Sequence, residues 1–373
     1  MLNAARLQLR YQWASGTDRR VVAAHSWLAS HVRPWVAVTS TARPGTPTIA
    51  YAGVPDGVVK IHQLLEQRRE ALGGTTTDRI TERADRAAVL RGRLPRPADL
   101  VAVGCSAAQA AALPARSALV LPFRLHLLAY LGGGLDRWLG TVSDAERRWV
   151  RSARRRARWG LEIAADRASF EHFYHRMYLP TMRGRHGDRA RCESVDLARE
   201  ALFGHGFLAF LTRDGERVAG SLDRWDARRG RLSLRLFGVL DGSDEHYRDG
   251  TSRVLDFLLL EWAHGFGART VDFGGIEPFL SQGIFQRKRK LASRAVLGPT
   301  HLGAQRLWWH ARRDTPAVRD FLVANPVVEI VGRDRLRAVY FHDETRPPRL
   351  DLARTHEGID EIRWLALDEF FAH

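Results

Sequence analysis

Lysine is almost absent from this chain. Of 58 basic residues in 373, only Lys60, Lys288 and Lys290 are lysines, so arginine carries nearly all of a formal charge of +16. Cysteine is as scarce. Cys105 and Cys192 lie far apart without metal-ligand spacing, which argues against a disulfide framework and for a reducing cytoplasm. No run of about 18 uncharged apolar residues occurs, so nothing reads as a membrane-spanning helix. Ser-His-Asp spacing, HExxH and CxxC are all missing, and Gly132-Gly133-Gly134 lacks a following Gly-Lys-Ser/Thr. Hydrolase, metal and phosphate-loop chemistries therefore have no motif to rest on.

What is present is a globular composition, 45% hydrophobic and 27% charged, in a chain long enough for two or three domains. Its basic excess fits a polyanionic partner or an anionic surface. A solvated basic face without a partner accounts for charge alone equally well.

Through the first 140 residues RPWVAVTSTA, PTIAYAG and ADLVAVG read as strands and VVKIHQLLEQRREAL as a helix, while the polar TTTDRITERADRAAVLRGRLPRP reads as a surface helix with loops. Alternating strands and helices indicate an α/β half-domain. Ser143-Asp144-Ala145-Glu146 has the spacing of a capping box. The helix it opens carries Arg147, Arg151, Arg154, Arg155 and Arg158 around a narrow stripe of Trp149, Val150, Ala153 and Ala157. With few carboxylates to neutralise them, these arginines and Lys290 are candidates for phosphate contact.

From 166 onward the pattern sharpens. Phe170, Phe173, Tyr174, Met177 and Tyr178 form an aromatic helix stripe that reads as core and is expected to close at Pro180. GFLAFLTRDGERVAGSLDRWD is a hairpin turning at Asp214-Gly215, and RLSLRLFGVL is the next strand. A polar loop (241–252) leads into the very apolar helix VLDFLLLEWAHGFGA, followed by the strand TVDF. LWWHARRD, VRDFLVAN and EGIDEIRWLALDEFFAH read as helical, and RAVYFH as a strand.

This order of helix, short helix, hairpin, strand, loop, buried helix and strand resembles the GCN5-related N-acetyltransferase (GNAT) fold. There the loop after the fourth strand wraps the donor's phosphates, because converging N–H groups at a helix start bind anions. The resemblance implies donor contacts at Phe237, Tyr247, Arg248, Gly250, Thr251, Ser252, Arg253 and Arg287. The family pattern of Gln/Arg, Gly, then Gly/Ala is met only at Gly250, since Tyr247 and Ser252 hold the other places.

Val271-Asp272-Phe273-Gly274-Gly275-Ile276, then Pro278-Phe279, then Gly283-Ile284-Phe285-Gln286-Arg287-Lys288 is similar to the C-terminal half of FemAB-like transferases, with Arg287 where they carry an aromatic residue. Such proteins consist of two GNAT-like halves and move amino acids from aminoacyl-tRNA to an amino group. The resemblance implies an α/β (α+β) fold of tandem GNAT-like halves with mixed sheets flanked by helices. The expected division is 1–142, a connecting helix 143–160, a donor-binding half 161–300, and 301–373 completing the fold.

Lys288 is the foremost catalytic candidate. Amide formation from an ester or thioester puts negative charge on the carbonyl oxygen, and an ammonium stabilises it. The rival reading is a basic knot, Arg287 to Lys290, that binds phosphate generally. Asp272, Glu277 and His186 are candidates to take the acceptor amine's proton, although Asp272 fits a cap on the glycine turn equally well. Arg185, His186 and Arg235 are candidates for acceptor binding. Expected, then, is a cytoplasmic acyltransferase, at most peripheral to the membrane, without tightly bound cofactor or metal. Aminoacyl-tRNA is the co-substrate, tRNA the partner, and an amino-bearing small molecule or peptide the acceptor. The alternatives are an acyl-CoA-dependent N-acyltransferase and a non-catalytic protein binding tRNA or an anionic membrane.

Overall fold

The computed structural model describes residues 2–187, 190–291, 294–354 and 356–372. The chain forms two compact units from interleaved segments. The first comprises Met1–Gln12, Leu127–Gly274 and Lys288–Arg294; the second comprises Trp13–His126, Gly275–Arg287 and Ala295–His373. Both are mixed α/β.

In the first unit the strands neighbour one another in the order Leu125–Tyr130, Thr270–Ile276, Arg231–Val239, Glu216–Asp226, Gly206–Arg213, Trp159–Ala164. The hairpin turns where expected: Asp214 (φ 54°) and Gly215 (φ 96°) supply the two left-handed residues of a tight turn. The aromatic stripe is core, with Phe170, Phe173 and Met177 fully buried against Leu208, Phe210 and Leu222. Its helix does not close at Pro180. The backbone stays helical through a π-helical turn at Phe173–Tyr178 and on into Leu179–His186, with Pro180 just after the π turn. Strand and helix backbones touch here: a Cβ on Gly238 would lie 2.4 Å from the Met177 carbonyl carbon. The apolar helix is Thr251–Gly265, with Val254, Leu255, Phe257, Leu259, Leu260 and Ala263 buried, as its nearly all-round hydrophobicity requires. It connects Arg231–Val239 to the parallel strand Thr270–Ile276.

The second unit uses the same device. Its six-stranded sheet runs Thr76–Ala84, Trp35–Ala42, Ile49–Gly53, Leu100–Ser106, Gln305–Ala311, Ala118–Pro122. Ile49–Gly53 and Leu100–Ser106 are its parallel pair. A three-stranded sheet (Val327–Val331, Arg335–His342, Glu361–Ala366) completes the unit.

Three expected helices are strands. The LWWHA part of LWWHARRD lies within the strand Gln305–Ala311, where Leu307 and Trp309 face one core and Trp308 the other. A strand apolar on both faces hides its period of two. TTTDRITERA is the edge strand Thr76–Ala84, polar because both faces are largely wet. The C-terminal segment is a strand, Glu361–Ala366, before a short helix, Leu367–Ala372. Among the described residues no helix is long and apolar enough to cross a membrane, and no cluster of three His, Cys, Asp or Glu could hold a metal ion.

Candidate active site in the first unit

The geometry begins with an interrupted ladder. Arg231–Val239 pairs with Thr270–Ile276 at only three positions, ending at Ser233↔Asp272, although both strands continue. On its other side the same strand carries a β-bulge: Leu234 pairs with Asp223 and Leu236 with Leu222, so Arg235 has no residue opposite it. Bulges bend a strand and re-aim side chains next to active sites.

Lys288 stands where the ladder ends. Only 7% exposed, its ammonium donates to the Phe273 carbonyl, and it lies about 4.0 Å from where a Cβ on Gly274 would be. Asp272, buried, accepts from the Gly274 N–H at 2.8 Å. That bond caps the glycine turn. Glu277 belongs to the second unit, where it pairs with Arg124 at 2.6 Å. Arg287 also falls in the second unit, and Lys290 is exposed.

A buried carboxyl that the sequence reading missed underlies the bulge. Asp223 is 1% exposed. Its Oδ1 accepts from Ser221 Oγ at 2.7 Å and from the Arg235 N–H at 3.2 Å, while Oδ2 has no hydrogen-bond partner among the described residues. Burial, with neighbouring Asp256 in support, pushes its pKa up to about 7 against the pull of those two hydrogen bonds. The signal was legible: strand alternation aligns Asp223 with Ala219 and Ser221 on one buried face, and Asp256 is a lone acid in the apolar stretch VLDFLLL.

The glycine loop expected to bind the donor is filled at its helix start by the protein's own groups. Asp249 Oδ1 accepts from the Thr251 N–H at 2.9 Å and also from its hydroxyl, so a carboxylate of the protein itself occupies the helix start. Thr251 and Ser252 are buried. Gly250 (φ 89°) is covered by Trp149, whose ring carbons lie 2.2 Å from where a Cβ would be. Arg253 pairs with Glu146 at 2.9 Å and stacks on Trp149 at 4.2 Å. Arg248 is exposed. The Glu146 carboxylate is thereby committed to Arg253, and only the Ser143 half of the expected capping box forms. Gly250→Ala is expected to destabilise the first unit by about 2–4 kcal/mol, from left-handed strain plus the clash with Trp149. Thermal unfolding checks this, and a Tm within 1–2 °C of wild type would contradict it.

Three other candidates come together. The Arg185 guanidinium lies 3.7 Å over the Tyr247 ring, and Tyr247 meets Phe237 edge-on at 6.2 Å. Arg235 lies 5.4 Å over the Tyr11 ring. The His186 side chain lies outside the described residues. The basic helix is Asp144–Arg156 and ends before Arg158, contrary to expectation: within it Arg147 binds Asp144 and the Leu139 carbonyl, Arg154 pairs with Glu261 and Arg155 is exposed, while beyond it the Arg158 N–H donates to Asp214.

No family model and no curated protein sequence matches the chain. Among solved structures it is similar to L-PGS from Bacillus licheniformis, at 13% identity and a TM-score of 0.39, over 85% of this chain and 95% of that one. It is also similar to FemX, at 12% identity and 0.40, over 73% and 83%. A third is the C-terminal domain of a putative lysylphosphatidylglycerol synthetase from Agrobacterium fabrum, at 10% identity and 0.37, over 83% and 91%. Likenesses this distant assign neither family nor substrate.

Proposed function

We propose that the chain is an acyltransferase that forms an amide on an amino-group acceptor, with the donor carbonyl beside Lys288. The observation that carries this is a buried ammonium anchored on the Phe273 carbonyl where the parallel ladder stops. As the amine attacks, charge moves onto the carbonyl oxygen, and a fixed cation in a dry setting stabilises it without reorganising. The intermediate collapses with cleavage of the donor's ester bond, and the proton the amine loses ends on the departing tRNA hydroxyl; Asp223, with a pKa near 7, is a carboxyl whose charge changes in the working pH range. In this reading its protonation sets the charge behind Arg235, so it acts as a positioning residue.

Aminoacyl-tRNA is the donor we favour, with the cytoplasm as its setting. The charge of +16 and the arginines of Asp144–Arg156 suit a large polyphosphate. Asp249 already holds the helix start that an acyl-CoA pyrophosphate would use, which weighs against that donor. The test incubates the protein and an amine acceptor panel with charged tRNA and, separately, with acetyl-CoA, following loss of each acyl donor. Amine-dependent deacylation of tRNA is expected, and its affinity should fall steeply between about 50 and 200 mM salt. Consumption of acetyl-CoA alone, or salt-independent tRNA binding, would overturn the donor assignment.

A further inference from the structure

Three helices of the first unit, Leu135–Thr141, Asp144–Arg156 and Thr251–Gly265, enclose a pocket of about 560 Å³ that the transfer site does not use. Arg147, Arg151 and Arg154 line it from the middle helix. Their i, i+4, i+7 spacing puts them on one face, with Arg151 and Arg154 exposed at the open side of the pocket. Two of the three are tied down. Arg147 donates to the Leu139 carbonyl at 3.0 Å and pairs with Asp144; Arg154 pairs with Glu261 at 2.7 Å. Arg151, between them, reaches only the Arg147 carbonyl, at 3.4 Å, and makes no ion pair among the described residues. With Arg147 and Arg154 each paired to a carboxylate, Arg151 is the guanidinium of the three left to meet an anion.

The rest of the lining says what the anion is attached to. Leu139, Val150 and Phe257 give an apolar wall, and the carboxylates of Asp136 and Glu261 accept hydrogen bonds. A bare phosphate would leave most of the volume empty and both carboxylates facing a like charge. A ligand with a phosphate at one end, hydroxyl or amino donors in the middle and a flat apolar body satisfies all three parts. We propose that this pocket binds a ribonucleotide, its phosphate on Arg151, its sugar hydroxyls or base amino group on Asp136 and Glu261, and its base against Leu139 and Val150. The proposal does not rest on acyl transfer: a chain that transfers nothing would still bind the nucleotide, and a transferase could lack it. The nucleotide arrives free or as the end of an RNA, and the chemistry of recognition is the same.

Isothermal titration of the full chain with AMP, adenosine and inorganic phosphate at low, fixed ionic strength tests this. AMP is expected to bind with a Kd below about 1 mM, and adenosine and phosphate at least tenfold more weakly. Arg151→Gln should weaken AMP at least tenfold at unchanged Tm. Arg156→Gln, on the same helix but outside the pocket, should leave AMP binding within about twofold. A 5′-phosphorylated ribo-oligonucleotide distinguishes the sources: competition with AMP at higher affinity assigns the pocket to RNA, and AMP binding without competition assigns it to free nucleotide. Absence of AMP binding up to about 5 mM, equal binding of adenosine, or equal losses in the Arg151 and Arg156 variants would each overturn the proposal.

Discussion

Lys288→Ala is expected to lower turnover of the transfer reaction about a hundred- to a thousandfold, with the donor's KM little changed. That magnitude is what one oxyanion-stabilising group contributes when it acts mainly in the transition state. The side chain is 7% exposed and its ammonium sits on the Phe273 carbonyl, so truncation also removes a buried stem. Lys288→Met keeps that stem and removes only the charge. It should lose as much turnover as the alanine variant while keeping a Tm near wild type, which separates chemistry from folding. Lys288→Arg should not restore the rate. A planar guanidinium is broader than an ammonium and cannot place its charge at the same point in a space built for Lys288. Wild-type turnover in the methionine variant would remove Lys288 from the reaction. The phosphate-knot reading of Arg287–Lys290 predicts a different outcome, a raised KM with kcat intact.

The particular failures of the sequence reading have physical causes. The segment from Phe170 to Phe273 was legible because its periodicities are clean: an aromatic stripe, an Asp-Gly turn and a helix apolar all round. Gln305–Ala311 was not, because burial on both faces erases the alternation that marks a strand. The interleaving of segments between the two units was invisible too, since pairing between distant strands leaves no local pattern. Lys288 stood out through its place at the end of the Gly283–Lys288 motif and through the rarity of lysine in the chain. What its surroundings do could not be read. That Gly250 is roofed by Trp149 and that Asp249 fills the helix start are contacts across about a hundred residues and across two, and the same local sequence would suit an open phosphate loop. Conversely, Asp223 was within reach of strand alternation and was passed over because it belongs to no motif.

Stability of the second unit should fall as pH is lowered from about 6.5 to 4, through His62 and His310. Burial depresses both imidazoles to about 4; Arg79 and Arg69 push His62 further down against the pull of Glu66, and Arg312 does the same to His310. His62 is fully buried. The unfolded chain takes up each proton near pH 6.5, whereas the folded unit resists until about 4. Above 6.5 both states are neutral and nothing is lost. Between 6.5 and 4 the unfolded state binds more protons, so each histidine subtracts about 1.4 kcal/mol of stability per pH unit. Below 4 both states are charged and the loss stops growing, at on the order of 3 kcal/mol for His62. Urea melts at pH 7.5, 6, 5 and 4 measure this directly. His62→Asn keeps a polar group of similar reach without the titration, so its stability should be lower at pH 7.5 but fall less steeply, by about one proton's slope. Parallel pH profiles for wild type and the Asn variant would show that His62 is not the group that couples acid to unfolding.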